Sequence, residues 1–328
     1  MRRAFFIAAA SLVACSCGGT TPSPPTAPST TVVAPPTPTA PAVTTISGAI
    51  TATNGGQPMA GLSVAASTST VTTDAQGVFS FRFSGSGAGY SFPVTISGPS
   101  IVTRNTRLDL STHDGIALSV FNTAQGFDIN YFRQIAHGAY DYPTTPYPVR
   151  RWTRNPSIYL QTRDFAGHLI DAQAITLAKS AITETIGALT GGQLSVAAFD
   201  QGTETREGQA GWLTVIWGGV TSEICGSAII GAEGGTIEID TLTPGCRCAG
   251  LAIDPAVVRH ELGHSMGLWH TDRPQDLMYP RRSGSCTFTL SEREREYAAY
   301  LYSRPVGNRD PDDDPANVSF ALPAIRIH

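Results

Sequence analysis

His260-Glu261-Leu262-Gly263-His264-Ser265-Met266-Gly267-Leu268-Trp269-His270 decides the reading of this chain. On an α-helix, residues four apart project from one face, so His260 and His264 can offer both imidazoles to a single metal ion. Glu261 lies one residue round from His260, on the flank where a carboxylate reaches a water beside the metal rather than the metal itself. Gly267 permits a positive φ, so the helix can stop and the chain can turn back to present His270 as a third ligand. Three protein nitrogens leave a fourth tetrahedral position open, which separates a catalytic zinc from a closed structural one; zinc is the default metal for such a set. The competing reading is a buried amphipathic helix that happens to carry histidines. Gly267 and His270, both at the required spacing, argue against it.

The pattern H-E-x-x-H-x-x-G-x-x-H resembles that of the metzincins. Beyond His270, the run Asp276-Leu277-Met278-Tyr279-Pro280 resembles the Met-turn that underlies the zinc in that clan, and Leu-Met-Tyr-Pro is most similar to the matrixins. The resemblance implies an α+β fold of zincin type, with a twisted sheet, an active-site helix and a small C-terminal subdomain. It implies a zinc metalloendopeptidase in which His260, His264 and His270 bind Zn²⁺, Glu261 is the general base and Met278 forms the Met-turn. In that family the strand before the active-site helix is the sheet edge that pairs with substrate backbone. Its expected counterpart is Gly234 to Asp240, so Gly235, Thr236 and Ile237, with Tyr279 and Pro280, are the expected substrate contacts; an exposed edge suits an extended peptide.

The chain opens with Met1-Arg2-Arg3 and an apolar run from Ala4 to Ala14, too short to span a bilayer and patterned as a signal peptide, residues 1–14. Leu12-Val13-Ala14-Cys15 resembles the lipobox of bacterial lipoproteins, which implies cleavage before Cys15, its lipidation and a membrane anchor. Ser16 after the cysteine favours the outer membrane; an ordinary secretory signal is the alternative. Residues 15–43 are a Thr/Pro-rich tether that cannot bury enough apolar surface to fold. The formal net charge of −4 becomes more negative once Arg2 and Arg3 are removed, and Lys179 is the single lysine. Such a chain is a poor nucleic-acid binder.

From residue 44 to 120 the pattern becomes short alternating runs: Thr45–Ile50, Leu62–Ala66, Val78–Phe83, Phe92–Ile96 and Ile116–Val120, with Asn54-Gly55-Gly56 and Asp74-Ala75-Gln76-Gly77 between them. Period-two alternation at this spacing predicts a small all-β sandwich. Gly61-Leu-Ser-Val and Thr73-Asp-Ala-Gln-Gly-Val-Phe-Ser-Phe resemble transthyretin-like or carboxypeptidase-regulatory modules. An adhesive or substrate-docking role competes with that of a passive stalk, and the lack of an aromatic platform or charge cluster favours the stalk.

Residues 121–304 read as the catalytic domain. Ser157–Gln161, Leu194–Phe199, Leu213–Trp217 and Gly234–Asp240 are strand-like, and Ala172–Leu189 is helix-like, with Ile175, Ala178, Ile182 and Ile186 on one face. Pro255 opens the histidine-bearing helix, and Ser291-Glu-Arg-Glu294 is a capping box for a helix from Glu292 to Tyr302. The order of elements is that of a metzincin N-terminal subdomain, and a last helix also closes the matrixin domain, so the resemblance covers residues 127–304. Residues 305–328 are a C-terminal tail. Within it, Asp310-Pro-Asp-Asp-Asp314 could take Ca²⁺ but lacks the EF-hand glycine and acidic end residue, so a solvated run is expected; Ala316–His328 carries no assignable pattern.

With Cys15 committed to lipid and Cys17 a free thiol in the tether, Cys225, Cys246, Cys248 and Cys286 are expected to form two disulfides, with three connectivities open. The sequence therefore points to an exported, lipid-anchored zinc endopeptidase acting on proteins or peptides at the cell surface. A surface adhesion lipoprotein with an inactive protease domain is the alternative. The first 120 residues supply no ligand or base and are expected to be dispensable for the chemistry. Natural substrate and oligomeric state leave no signal.

Overall fold

The computed structural model describes residues 43–67, 69–84, 91–109, 111–112, 114–218, 224–281, 285–316 and 323–328. The leader, the tether, Cys15 and Cys17 lie outside the described residues.

Alternation of apolar and polar residues builds the first part. Strand β1 (Val43–Ala52) turns Ile46, Ile50 and Ala52 inward and pairs antiparallel with β4 (Val78–Ser84) and parallel with β7 (Ile116–Val120). Facing it is a second sheet, in the order β3 (Ser69–Thr72), β2 (Ser63–Ala66), β5 (Ser91–Ser97), β6 (Arg104–Asp109). Ile46, Ile50, Val64, Phe79, Phe81, Val94 and Ile96 form the core between them. Burying each such side chain contributes about 1.5–3 kcal/mol. Two strands escaped the alternation. The inward positions of β6 are Arg104, Thr106 and Leu108, so its buried face looks polar in sequence. Most of β3 is exposed, and only Val71 packs in part against the core.

The second half is built on a six-stranded sheet in the order β13 (Arg326–Ile327), β11 (Gly226–Ile229), β12 (Thr236–Ile239), β10 (Trp212–Trp217), β8 (Ser157–Gln161), β9 (Ala198–Gly202). Strands β9, β8, β10 and β12 run parallel, and β11 runs antiparallel to β12. Helix α1 (Ile129–His137) follows the sandwich, α2 (Ala172–Leu189) and α3 (Pro255–Met266) pack together, and α4 (Glu292–Tyr302) packs against α1 and α2. Strand β9 starts later than the alternation at Leu194 suggests. The Leu194 amide is taken by Thr190 Oγ1 at 3.1 Å, which turns the chain there instead of extending it.

One expectation is corrected. Gly234–Asp240 does contain a strand, but that strand has no free edge, because β12 bonds β10 on one side and β11 on the other. Gly235, Thr236 and Ile237 are buried, so they cannot pair with substrate backbone. Outside β12 runs the antiparallel β11, whose short Gly-Ser-Ala-Ile sequence carries no alternation to reveal it and whose far side is paired with β13.

The acidic run is corrected too. Asp312 is buried and forms a two-pronged ion pair with the buried Arg304, at 2.7 and 2.8 Å. Asp314 accepts from Arg104 of β6 at 2.7 Å, and Asp310 pairs with Arg133 of α1. With arginines already neutralising these carboxylates, neither the solvated run nor the Ca²⁺ reading fits. Asn105 exchanges backbone bonds with Asp312 and Asp314, so the run clasps the sandwich to the second half. Through these contacts the sandwich and the second half belong to one compact unit.

Candidate active site

The Asp254 side chain accepts the Ala256 amide at 2.9 Å at the start of α3, and Pro255 sits in the first turn, where its missing N–H costs nothing. The helix stops at Gly267, which adopts φ 108° and donates to Gly263 and His264 carbonyls. A side chain there would also collide with the Arg150 carbonyl, so both φ and space demand glycine. The chain turns back, the Trp269 amide bonds the Ile135 carbonyl at 2.9 Å, and His270 arrives beside the helix.

The three imidazoles converge. His264 Nε2 lies 3.0 Å from His260 Nε2 and 3.2 Å from His270 Nε2. Each Nδ1 faces an oxygen: the Leu277 carbonyl at 2.6 Å for His260, the Leu268 carbonyl at 2.8 Å for His264, and Asp141 Oδ1 at 2.9 Å for His270. An oxygen acceptor requires the proton on Nδ1, so the Nε2 lone pairs of all three rings point at one another. Lone pairs cannot bond each other, and a cation satisfies all three. Tetrahedral zinc, with Zn–N of about 2.0–2.1 Å, spaces its nitrogens about 3.3 Å apart, so this set fits it. Burial, helped by the neighbouring His270, holds His260 down at about 4, and burial holds His264 well below its ordinary value. Both rings are therefore neutral near pH 7, as metal ligation requires.

Glu261 is 3% exposed and its Oε2 has no hydrogen-bond partner among the described residues. Burial pushes its carboxyl well above the usual range, opposed by Arg326. Its position depends on Gly226 at the start of β11: a Cβ there would stand 2.6 Å from Glu261 Cγ. Beneath the helix, Met278 is fully buried, and a side chain at Gly263 would collide with its thioether. The turn that carries Met278 is held by Glu294, which accepts the Leu277 amide at 2.9 Å, the Met278 amide at 2.7 Å and, closing its capping box, the Ser291 amide at 2.7 Å. Asp276 accepts hydroxyls from Tyr131, Ser291 and Thr271 at 2.6, 2.8 and 3.0 Å.

Beside His260 and Glu261 lies a pocket of about 320 Å³ lined by Val257, Leu277, Tyr279, Pro280 and Phe288. Tyr279 and Pro280 are thus brought to the site, and Gly235, Thr236 and Ile237 are not. Disulfides join Cys225 to Cys246 and Cys248 to Cys286, tying the start of β11 and the segment beyond the Met278 turn to the loop before α3.

Residues 250–303 match the Matrixin family model. The matrixin-like segment holds α3, all three histidines, Met278 and α4. Macrophage metalloelastase from Rattus norvegicus is 40% identical over 67 residues, which cover 19% of this chain and 14% of that protein. The chain thus spans a small part of that relative's length. Both matches support a metzincin-like domain, and the sandwich lies outside the matrixin match. Asp141, Gly226 and the second duty of Glu294 were missed in sequence. Asp141 is 129 residues from His270, and no local spacing announces such a pairing.

Proposed function

We propose that this protein is a zinc-dependent endopeptidase that hydrolyses peptide bonds of proteins or peptides. The observation that carries the reading is the convergence of three Nε2 lone pairs beside a buried carboxylate whose Oε2 has no partner among the described residues. Zinc, when bound by His260, His264 and His270, supplies Lewis acidity that polarises a carbonyl and acidifies water. Glu261 takes the proton of the attacking water and passes it to the leaving amine. Asp141 orients His270, and the backbone carbonyls of Leu268 and Leu277 orient His264 and His260. The pocket bounded by Val257, Leu277, Tyr279 and Pro280 receives an apolar substrate side chain.

The proposed location is the bacterial cell envelope, with lipid on Cys15 holding the domain at the surface, in the outer membrane. Leu12-Val13-Ala14-Cys15 supports this, and the two disulfides suit an oxidising compartment. The test is casein hydrolysis by the purified chain, abolished by a chelator and restored by zinc. A zinc-loaded chain that cleaves neither casein nor a peptide library would leave the adhesion reading in its place.

A further inference from the structure

Strand β11 is the sheet's closest approach to the catalytic cluster, since Gly226 lies against Glu261 and Cys225 and Gly226 both line the pocket. The outer edge of such a strand presents unpaired N–H and C=O groups, a template for any extended peptide. Here the chain itself fills it. Ile327 pairs with Ala228 and Arg326 with Ile229 in antiparallel register, and the Ile230 amide donates to the Ile325 carbonyl at 2.9 Å. Side chains reinforce the pairing alternately. Ile327 is buried against Ile230 and Trp269, while Arg326 reaches Ser227 Oγ at 2.9 Å, Thr236 Oγ1 at 3.0 Å and Glu238 at 3.5 Å. One residue further, His328 lines the same pocket as His260 and Glu261.

We infer that Pro323–His328 is a resident pseudosubstrate, which occupies the peptide-binding edge of β11 beside the catalytic cluster and holds the enzyme self-inhibited until a substrate displaces it. The inference rests on the endopeptidase reading. The strand is short, with two paired residues, so an incoming peptide that makes a longer ladder competes with it. It also names the substrate class. The edge accepts an apolar, basic, apolar sequence like Ile325-Arg326-Ile327, with apolar side chains toward Trp269 and the basic one on Glu238, Ser227 and Thr236.

The test uses the zinc-loaded full chain and the double variant Arg326→Ala/Ile327→Asp, neither position supplying a histidine ligand or the base. Three readouts are taken: hydrogen exchange at the Ala228 and Ile230 amides, binding of a labelled Pro-Ala-Ile-Arg-Ile-His peptide, and kcat/KM on an internally quenched peptide. The expected result is lost protection at β11, binding of the labelled peptide by the variant at least about tenfold tighter than by the parent, and a rise in kcat/KM of about tenfold as the blocked fraction is freed. Should the double variant still protect these amides, adding Ile325→Asp completes the release. Should it melt too low for kinetics, Arg326→Ala alone shows the same ordering at smaller amplitude. Released amides with unchanged kcat/KM and no peptide binding would overturn the inference and leave β13 as a strand that merely completes the sheet. Peptide binding by the variant, with no cleavage by any form, would instead sink the endopeptidase reading while leaving the displaceable strand intact.

Discussion

Glu294 accepts the Met278 amide at 2.7 Å, so the carboxylate that caps the last helix also holds the turn beneath the histidines. The same carboxylate takes the Leu277 amide, and the Leu277 carbonyl receives His260 Nδ1. A stabilising cap and a candidate metal ligand are therefore joined through the Leu277 backbone.

Burial, then the neighbouring Asp276, push Glu294 up to about 7 against the opposing pull of three backbone amides. A carboxyl whose folded pKa is raised contributes stability that is full below its unfolded value near 4.5 and is lost as pH rises through about 7. The advantage of the parent over Glu294→Gln should accordingly shrink between pH 5 and pH 8, by at most roughly 3 kcal/mol. Calorimetry of both proteins in chelator, so that the zinc ligands drop out of the comparison, reads this directly. A gap that widens with pH would mean that the amides keep Glu294 ionised.

If Glu261 has the proposed role of moving protons without binding the metal, Glu261→Gln should keep near-stoichiometric zinc and lose about 10² or more in turnover. Gly226→Ala should act in the same direction by pushing the carboxylate aside, with kcat lowered and zinc retained. His264→Ala should lose the metal. Zinc analysis alongside kcat separates these outcomes, and equal zinc loss in Glu261→Gln and His264→Ala would remove Glu261 as the base.

Asp141→Ala leaves the His270 Nδ1 proton without its carboxylate partner. Loss of such an outer partner typically costs about 10- to 100-fold in metal affinity. Competition with a chromogenic chelator measures it, and unchanged zinc affinity would show that the ring needs no orientation from Asp141.

A chain starting at Phe121 keeps every ligand but loses Arg104 from Asp314 and Ser119 from Arg304. Its peptide-cleavage rate should stay within a few-fold of the parent's, while its melting temperature falls. Within the clasp, Asp312→Asn weakens the compensation of the buried Arg304, and breaking a buried pair typically costs about 3–5 kcal/mol. Thermal melts of all three chains check the pair of expectations. A truncated form that is folded and zinc-loaded but inactive would show that the sandwich completes the site.

The sequence alone determined what rests on local geometry. Residues 260 and 264 share a face because a helix repeats every 3.6 residues, Gly267 can end that helix because it lacks a Cβ, and Ser291 and Glu294 cap because three residues make the first turn. Most strands of the sandwich showed through period-two alternation, which fails where the inward side chains are Arg104 and Thr106. Tertiary structure alone decided the rest. Which strand is the edge depends on pairing between Gly226–Ile229, Thr236–Ile239 and the distant Arg326–Ile327, and a pairing partner leaves no mark on the spacing of either strand. The choice among three disulfide connectivities, the carboxylate on His270 and the burial of Asp312 against Arg304 are likewise contacts between segments far apart in sequence. Their physical basis is proximity after folding, which propensity and periodicity do not encode.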